Sequence, residues 1–351
     1  MSNFRHISLS FMSGFVFGTE FILMFLYYQN SSSTGFWRSL PVSVEKTDKK
    51  YDKYSKYDGK SNIHYSTKSN TSRHLLANHS DFHHSAEDDN RTAEQLYRRV
   101  RVFCWIMTSP ATLLSKAIHV RDTWSKRCNV RLFMSSVENK TFPAVGLPVR
   151  EGRSQLYEKT KEAYKYIWKH YKDQADWFLK ADDDTYLVAE NLRFLLKDYD
   201  PQTPLHFGRR FKLFVKQGYM SGGAGYVLSK EALERYVHGL DTKKCPEGGA
   251  IEDVEIGKCL EIVGVEAGDS RDQKQKDTFH PVNMKFHLKP EPIPQGNFMI
   301  NYDYYPSCRG IECSSIYPIS FHKVTPDEMY VYEYMIYHAK VYGVAHTHPK
   351  T

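Results

Sequence analysis

The chain has 351 residues, 41% of them hydrophobic and 14% aromatic, a composition that excludes a chain disordered throughout. Its 48 basic residues only slightly outnumber its 41 acidic ones, for a net charge of +7. No long basic run occurs in the part predicted to fold, so the charge pattern does not indicate nucleic-acid binding.

The first segment with a clear pattern is 7–28, which is nearly long and apolar enough to cross a bilayer. A charged residue, Glu20, interrupts it. The bulky residues Tyr27, Tyr28 and Gln29 do not fit a signal-peptide cleavage site. We therefore predict a cytoplasmic tail at 1–6 and a signal anchor at 7–28, with a cleaved signal peptide as the alternative. Either one places the rest of the chain in the secretory lumen.

Residues 29–97 are rich in polar residues and show no sustained apolar period, which predicts a solvated stem. Glycosylation sequons occur mostly in this stretch, and four of the five precede residue 95. Their clustering agrees with a lumenal location. The candidate N-glycosylation sites are Asn30, Asn70, Asn78, Asn90 and Asn139.

All six cysteines follow residue 100, and an even number in a lumenal chain predicts three disulfides. The simplest pairing joins neighbours in the sequence, although sequence alone leaves the connectivity open. The chain has no Cys-x-x-Cys motif, which disfavours the competing use of these residues in a zinc site. The predicted pairs are Cys104 with Cys128, Cys245 with Cys259, and Cys308 with Cys313.

A folded domain is predicted at 98–351, where short apolar runs alternate with amphipathic segments. This alternation indicates an α/β fold with Rossmann-like crossovers. Residues 292–317 are aromatic, Pro-rich and predicted to be irregular. Strands are predicted at 102–107, 130–134 and 177–181, and helices at 111–124, 156–171, 191–196 and 327–342.

Three adjacent carboxylates, Asp182, Asp183 and Asp184, directly follow the apolar strand at 177–181. In open α/β sheets, ligands bind at the carboxyl ends of strands. Carboxylate oxygens suit Mg²⁺ or Mn²⁺, so the triplet is a candidate site for an ion that bridges a diphosphate. The alternative is a solvated acidic turn that caps the next helix.

Further candidates follow in the chain. The Gly-rich stretch 219–226 would let a ligand approach the backbone, but it lacks the P-loop lysine and could be a simple tight turn. The pair Glu252 and Asp253 could supply a general base for a hydroxyl group, or could be acids at a helix N-terminus. Either His280 or His322 could complete a metal site, and spacing alone does not choose between them.

These stretches together resemble a known family. The run WFLKADDDTY at 177–186 and the run QGYMSGGAGYVLSK at 217–230 are similar, nearly letter for letter, to the core 1 β1,3-galactosyltransferases of glycosyltransferase family 31. Segments 121–124, 207–211, 252–254 and 266–272 share the similarity. The resemblance covers about residues 98–345, which is the whole predicted folded part.

The resemblance implies a GT-A glycosyltransferase domain on a single-pass type II Golgi membrane protein. It further implies Mn²⁺ as cofactor, UDP-galactose as donor and GalNAc-bearing glycoproteins as acceptors, with galactose joined β1,3 to GalNAc and with inversion at the anomeric carbon. No nucleic acid is expected as a partner, and a homodimer is left open.

Site residues follow from the resemblance position by position. Asp184 corresponds to the direct metal ligand, with Asp182 beside it and His322 as the histidine ligand. Asp253 corresponds to the catalytic base. Donor-binding residues are expected at Thr108, Arg121, Lys180 and Asp183, and acceptor-binding residues at Tyr219, Gly222, Gly223, Glu252, Ile300 and Tyr302.

The chain departs from the family pattern at two places. The stretch NFMINY at 297–302 lacks the tryptophan that the family places before its Asn-Tyr pair. Because acceptor sugars stack on aromatic faces, Ile300 would weaken or alter that contact. Cys313-Ser314 stands where the family tends to have two adjacent cysteines, and Cys308 could be the replacement partner. The alternatives are therefore a family 31 transferase with another acceptor, and a non-catalytic lumenal relative that binds sugar nucleotides or carbohydrate.

Overall fold

A computed structural model of the protein describes residues 90–342. The predicted anchor, most of the predicted stem and the sequons at Asn30, Asn70 and Asn78 lie outside the described residues. Within 90–342, no helix combines the length and the apolar character that a membrane crossing requires. The sequon residue Asn90 directly precedes the first helix, and the amide oxygen of Asn139 accepts a hydrogen bond from the backbone N–H of Phe142 at 3.0 Å.

The described chain alternates strands and helices in the order expected of an α/β fold. The strands are β1 (Val102–Met107), β2 (Val130–Ser135), β3 (Ala144–Gly146), β4 (Trp177–Asp182), β5 (Tyr186–Leu187), β6 (Leu205–Gly208), β7 (Arg210–Phe211), β8 (Tyr219–Met220), β9 (Tyr226–Ser229), β10 (Glu266–Ala267), β11 (Phe279–His280) and β12 (Ser320–Phe321). The helices are α1 (Arg91–Arg99), α2 (Ile118–Asp122), α3 (Leu156–Tyr171), α4 (Ala189–Leu196), α5 (Lys230–Asp241), α6 (Glu252–Ile262), α7 (Met284–His287), α8 (Phe298–Tyr302) and α9 (Pro326–Tyr337). A π-helical turn (Leu113–Ala117) and 3₁₀ turns (Trp124–Arg127, Arg153–Gln155, Ile311–Cys313) complete the elements.

The main sheet has seven strands in the order β10-β6-β9-β4-β1-β2-β3. Strands β3, β2, β1 and β4 run parallel to one another, whereas β9 is antiparallel to both β4 and β6. The chain moves outward from β1 to β3 and then returns to the other side of β1 for β4. Strand order therefore reverses between β1 and β4, and open α/β sheets bind ligands at such a reversal.

Both faces of the main sheet are covered, which explains the unbroken apolar run in β1. All six residues of β1 are buried. Alternate side chains enter two separate core clusters, for example Cys104 in one and Trp105 in the other. The first cluster includes residues of α2, α4 and α9, and the second includes residues of α3, α5 and α6.

Most predicted elements are confirmed, and α3 has the predicted bounds because Ala163 and Ile167 recur at the helical period on its buried face. The predicted helix at 111–124 is instead broken into a π-helical turn, α2 and a 3₁₀ turn. Thr123 leaves the helical conformation, and the buried Trp124 donates from Nε1 to the carbonyl of Thr185 at 2.8 Å. That tertiary contact turns the chain away from a continued helix.

Three further differences concern helices α1, α8 and α9. Helix α1 spans the expected boundary at residue 98 between stem and catalytic domain, and its Tyr97 ring lies under the guanidinium of Arg193 at 4.7 Å. Helix α9 ends at Tyr337, earlier than predicted, and a capping box of Thr325 and Glu328 starts it. Helix α8 lies inside the stretch that was predicted to be irregular.

All three predicted disulfides are confirmed. Cys104 at β1 pairs with Cys128 just before β2, Cys245 pairs with Cys259 of α6, and Cys308 pairs with Cys313. No cysteine remains free, so these six residues supply no thiolate ligand for zinc.

Removing the Cys104–Cys128 disulfide is expected to lower the free energy of unfolding by about 3 kcal/mol, because the bond closes a loop with a sequence separation of 24. The double variant Cys104→Ala/Cys128→Ala can be compared with the wild type by urea unfolding followed by tryptophan fluorescence. The Cys308–Cys313 loop has a sequence separation of only 5, so its removal should cost less, about 2 kcal/mol. A smaller effect for the longer loop would contradict this chain-entropy argument.

Candidate active site

The candidate site lies where β1 and β4 end side by side. Met107, the last residue of β1, pairs with Asp182, the last residue of β4. Thr108 therefore lies next to the aspartate triplet, and its hydroxyl donates to Asp183 Oδ2 at 2.9 Å. The triplet is thus held at the carboxyl edge of the sheet, as the sequence predicted, and the strand order places it at the reversal between β1 and β4.

Two of the three aspartates meet His322 in a cluster that fits a metal ion. Ligand atoms of Asp182, Asp184 and His322 all lie within 4.8 Å of one another. His322 Nε2 is 3.2 Å from Asp184 Oδ1 and 3.9 Å from Asp182 Oδ2. Strand β12 brings the histidine there, because Phe321 pairs with Tyr186 just after the triplet.

The orientation of the His322 ring supports a ligand role. Its Nδ1 lies 3.2 Å from the carbonyl of Pro281, so Nδ1–H donates there and Nε2 is the ring nitrogen that faces the aspartates. His280, the other histidine considered, is fully buried and stacks on Phe321. Burial lowers the pKa of His280 to about 3, which marks a neutral core histidine.

A residue that sequence reasoning missed, Lys116, neutralises part of the triplet. Its Nζ lies 3.0 Å from Asp184 Oδ2 and 4.0 Å from Asp183 Oδ1. Burial by itself would raise the pKa of Asp184, but the contacts with His322 and Lys116 hold it well below its usual range. Asp184 is therefore ionised and available to a cation. Burial raises the pKa of Asp183 to about 6, against hydrogen bonds from Thr112 and Thr108.

The chemistry of the donor set agrees with a divalent cation. Two carboxylates and one imidazole supply hard oxygen atoms and one nitrogen, and carboxylate oxygens are the ligands that Mg²⁺ and Mn²⁺ favour. The room for the imidazole comes from a glycine, since a Cβ built on Gly223 would lie 2.1 Å from His322 Cε1.

The Gly-rich stretch connects the metal cluster to α6. Thr185 Oγ1, in the turn after the triplet, donates to the carbonyl of Gly223 at 2.8 Å. A Cβ on Gly222 would lie 2.8 Å from Glu252 Oε2. Gly225 has a φ of +78°, a conformation that favours glycine. The stretch is therefore a turn in which Gly222 and Gly223 leave room for neighbouring side chains. Gly225 is favoured by its backbone conformation.

Replacing Gly223 by alanine is expected to weaken Mn²⁺ binding about tenfold, because the new methyl group displaces the His322 ring. Mn²⁺ titration of the purified protein, followed by electron paramagnetic resonance of the free ion, measures this directly. Gly248→Ala is the matched control, since a Cβ there meets nothing within 4 Å. Equal Mn²⁺ affinity in the two variants would contradict the assigned position of His322.

Asp253 lies in the first turn of α6 and faces the same loop. Its Oδ2 accepts from the backbone N–H of Gly222 and its Oδ1 from the N–H of Val254, each at 3.0 Å. Its pKa is raised, chiefly by burial. A half-buried carboxylate with a raised pKa is a stronger base than an exposed one, so the position suits proton abstraction.

The neighbouring Glu252 is committed to contacts within the protein. It is buried, and its Oε1 accepts from Thr160 Oγ1 at 2.9 Å and from the hydroxyl of Tyr226 at 2.7 Å. Burial raises the pKa of Glu252 as well. The side chain thus anchors α6 to α3 and β9 beside the glycine loop.

Two of the remaining predicted acceptor residues, Tyr219 and Tyr302, pack in one aromatic group around Phe211. Phe211 meets the rings of Tyr219 and Tyr302 edge to face, at 5.7 and 5.8 Å. Burial and then the charge of Asp253 raise the pKa of Tyr219. Ile300, on the same helix as Tyr302, is 46% exposed.

Arg121 is the predicted donor residue that the contacts do not join to the cluster. It pairs with Asp122 at 2.7 Å, and its guanidinium lies 5.1 Å from the ring centre of Phe142. Among residues 90–342 it makes no hydrogen bond or ion pair with the aspartate triplet. Lys180 is almost fully buried and contacts Asp182 and the glycine loop.

The fold and the cluster agree with the comparisons to known proteins. The Fringe-like family model matches residues 115–325, a stretch that contains the aspartate triplet, the glycine loop, Asp253 and His322. The chain belongs to this Fringe-like family of glycosyltransferases, within family 31, which confirms the resemblance seen in the sequence.

Among individual relatives, the chain is 48% identical over 262 residues to glycoprotein-N-acetylgalactosamine 3-beta-galactosyltransferase 1 of Xenopus laevis, covering 74% of this chain and 73% of that protein. It is 28% identical over 200 residues to human chondroitin sulfate synthase 3, covering 52% of this chain and 23% of that protein. It is also 28% identical over 149 residues to mouse beta-1,3-glucosyltransferase, covering 42% of this chain and 30% of that protein.

Proposed function

We propose that this protein transfers galactose from UDP-galactose to the 3-hydroxyl of GalNAc linked to Ser or Thr of glycoproteins. The name of the Xenopus laevis relative, at 48% identity over most of both chains, supports this substrate pair. One observation of the site carries the reaction type. A candidate metal cluster and a carboxylate base contact consecutive glycines, since His322 lies against Gly223 and Asp253 accepts from the N–H of Gly222.

The proposed metal is Mn²⁺, held by Asp182, Asp184 and His322. When bound, it would act as a Lewis acid that neutralises charge developing on the leaving diphosphate. Lys116 and His322 keep Asp184 ionised, so the protein holds its ligand in the form that a cation requires. Thr108 and Asp183, at the adjoining strand ends, are proposed to line the donor side, with Arg121 nearer the nucleotide.

The proposed reaction is a single displacement. Asp253 accepts the proton of the acceptor hydroxyl while the oxygen forms a bond to the anomeric carbon of galactose. The bond between that carbon and the diphosphate oxygen breaks, its electron pair leaves with UDP, and the anomeric configuration inverts. The raised pKa of Asp253 favours this proton transfer, and the two backbone N–H groups on its carboxylate hold it in place.

The proposed location is the Golgi membrane, with 7–28 as the anchor of a type II protein and the described domain in the lumen. Three disulfides agree with an oxidising compartment. Assembly as a homodimer belongs to the same proposal and can be checked by sedimentation of the detergent-solubilised chain.

A second candidate keeps the chemistry but changes the acceptor. Ile300 is 46% exposed on α8, while Phe298 and Tyr302 of the same helix pack against Phe211. An aliphatic side chain at that exposed position cannot offer a sugar the flat aromatic face on which sugars stack. The observation favours an acceptor that does not depend on such stacking.

Incubation of the full chain with UDP-galactose, Mn²⁺ and a GalNAc-Ser/Thr glycopeptide tests the proposal, with product mass and linkage as the readout. A β1,3-galactosylated peptide is the expected product. Transfer only to other members of an acceptor panel would favour the second candidate. UDP binding without UDP release on any acceptor would reject both and leave a non-catalytic binding protein.

A further inference from the structure

Lys180 is a buried lysine on the central strand β4. It lies between the candidate metal cluster and the glycine loop at 219–226. Its side chain is 2% exposed. Burying an ammonium group is costly unless carboxylates and hydrogen-bond acceptors surround it. Here its Nζ contacts Asp182 Oδ1 at 2.5 Å and the carbonyl of Gly222 at 3.1 Å.

On the metal side, the contact decides which oxygen of Asp182 remains available. Oδ1 is occupied by the ammonium, whereas Oδ2 is the oxygen that faces His322 at 3.9 Å. The oxygen of Asp182 that faces the cluster is therefore the one that Lys180 does not contact. The side chain is almost fully buried, and its Nζ contacts protein groups, whereas the resemblance implies a donor-binding role.

On the loop side, Lys180 holds Gly222, the residue whose backbone N–H binds the proposed base Asp253. The carbonyl of Gly222 accepts from Lys180, and the N–H of the same Gly222 donates to Asp253 Oδ2 at 3.0 Å. A Cβ on Gly222 would lie 3.6 Å from Lys180 Nζ and 3.4 Å from Asp253 Cβ, so the three residues are in direct proximity. The contacts form an unbroken chain from Asp182 through Lys180 and Gly222 to Asp253.

We propose that Lys180 is a positioning residue that sets the distance between the metal ligand Asp182 and the base Asp253 by holding the Gly222 peptide. In this role it acts through two other residues, the proposed metal ligand Asp182 and the proposed base Asp253. The inference rests on the proposed function for the role of Asp253, but the geometry that it explains does not depend on which acceptor is used.

The first test measures the loop in the metal-free protein. Hydrogen–deuterium exchange of peptides covering 219–226 should become about tenfold faster in Lys180→Met, because the Gly222 peptide loses its anchor. Lys159→Met is the matched control. Lys159 is also 2% exposed, but it pairs with Glu151 and the carbonyl of Thr108 instead of the loop. Unchanged exchange in Lys180→Met, or equal acceleration in the control, would overturn the proposal.

A second variant separates positioning from charge balance. Lys180→Met leaves Asp182, Glu252 and Asp253 without their shared cation, which could destabilise the fold. The double variant Lys180→Met/Glu252→Gln restores the net charge of the cluster, and the glutamine keeps an oxygen for Thr160 and Tyr226. The loop should still exchange quickly in this variant, and kcat should remain about 10²-fold low, as expected for a misplaced base. Recovery of kcat to the wild-type value would show that Lys180 only balances charge.

The failure of this inference can be told apart from the failure of the proposed function. If the wild-type protein transfers no galactose, the exchange experiment still decides whether Lys180 holds the loop. If the wild type is active, Lys180→Met and Asp253→Asn should be non-additive in kcat, because both act on one proton-accepting unit. Fully additive losses would place Lys180 outside that unit and overturn the positioning role.

Discussion

Replacement of Asp253 by asparagine should lower kcat about 10³-fold and leave Mn²⁺-dependent UDP binding within a few-fold of the wild type. Asparagine has nearly the same shape, and its side-chain oxygen can still accept from the Gly222 N–H, so the loop keeps its anchor. What is lost is the ability to accept a proton from the acceptor hydroxyl. Steady-state kinetics give kcat, and calorimetric titration of UDP in the presence of Mn²⁺ gives the affinity.

Glu255→Gln is the control for Asp253→Asn, because it removes another buried carboxylate from the first turns of the same helix. Glu255 pairs with Lys258 at 3.0 Å and makes no contact with Gly222. The kcat of Glu255→Gln should stay within about threefold of the wild-type value, because the change lies away from the reacting groups. Wild-type turnover in Asp253→Asn would show that another group is the base.

Replacement of Asp184 by alanine should instead abolish the metal-dependent part of donor binding, raising the Kd for UDP in Mn²⁺ about 10²-fold. The variant removes a carboxylate that His322 and Lys116 keep ionised, and it leaves those two groups without their shared partner. Calorimetry with and without Mn²⁺ isolates the effect, since UDP binding in the absence of metal should change far less.

Asp173→Ala serves as the control for loss of an aspartate. Asp173 follows α3, its side chain is 76% exposed, and it pairs with Lys230 away from the cluster. It should bind UDP and Mn²⁺ like the wild type. The ligand role of Asp184 would be rejected by a normal gain in UDP affinity when Mn²⁺ is added to Asp184→Ala.

The two predictions differ in the quantity that changes, which is kcat for Asp253→Asn and the Kd for UDP for Asp184→Ala. This difference follows from the geometry. Asp184 belongs to the cluster with His322 at the end of β4, whereas Asp253 belongs to α6 and is joined to that cluster through Lys180 and the glycine loop. Loss of a metal ligand therefore weakens donor binding, and loss of the base slows the chemical step.

Local pattern in the sequence was enough to determine much of the architecture. The bounds of α3 follow from side-chain spacing, because a helix in contact with a sheet must bury residues at three- and four-residue steps. The placement of Asp182 at a strand end follows from the buried run before it. The three disulfides join cysteines that are neighbours in the sequence, so the simplest pairing was also the observed one.

The family resemblance pointed to His322, but the physical reason for that choice comes from the tertiary structure, because the parts of the site are distant in the chain. His280 and His322 stand at the ends of adjacent strands, yet one is buried against Phe321 and the other faces Asp184. That choice depends on the pairing of β12 with β5, which no local pattern encodes. Lys116 looks like any other lysine in the sequence, and the resemblance gave Lys180 only a donor-binding role. The tertiary structure is what brings both ammonium groups to the carboxylates that need a cation.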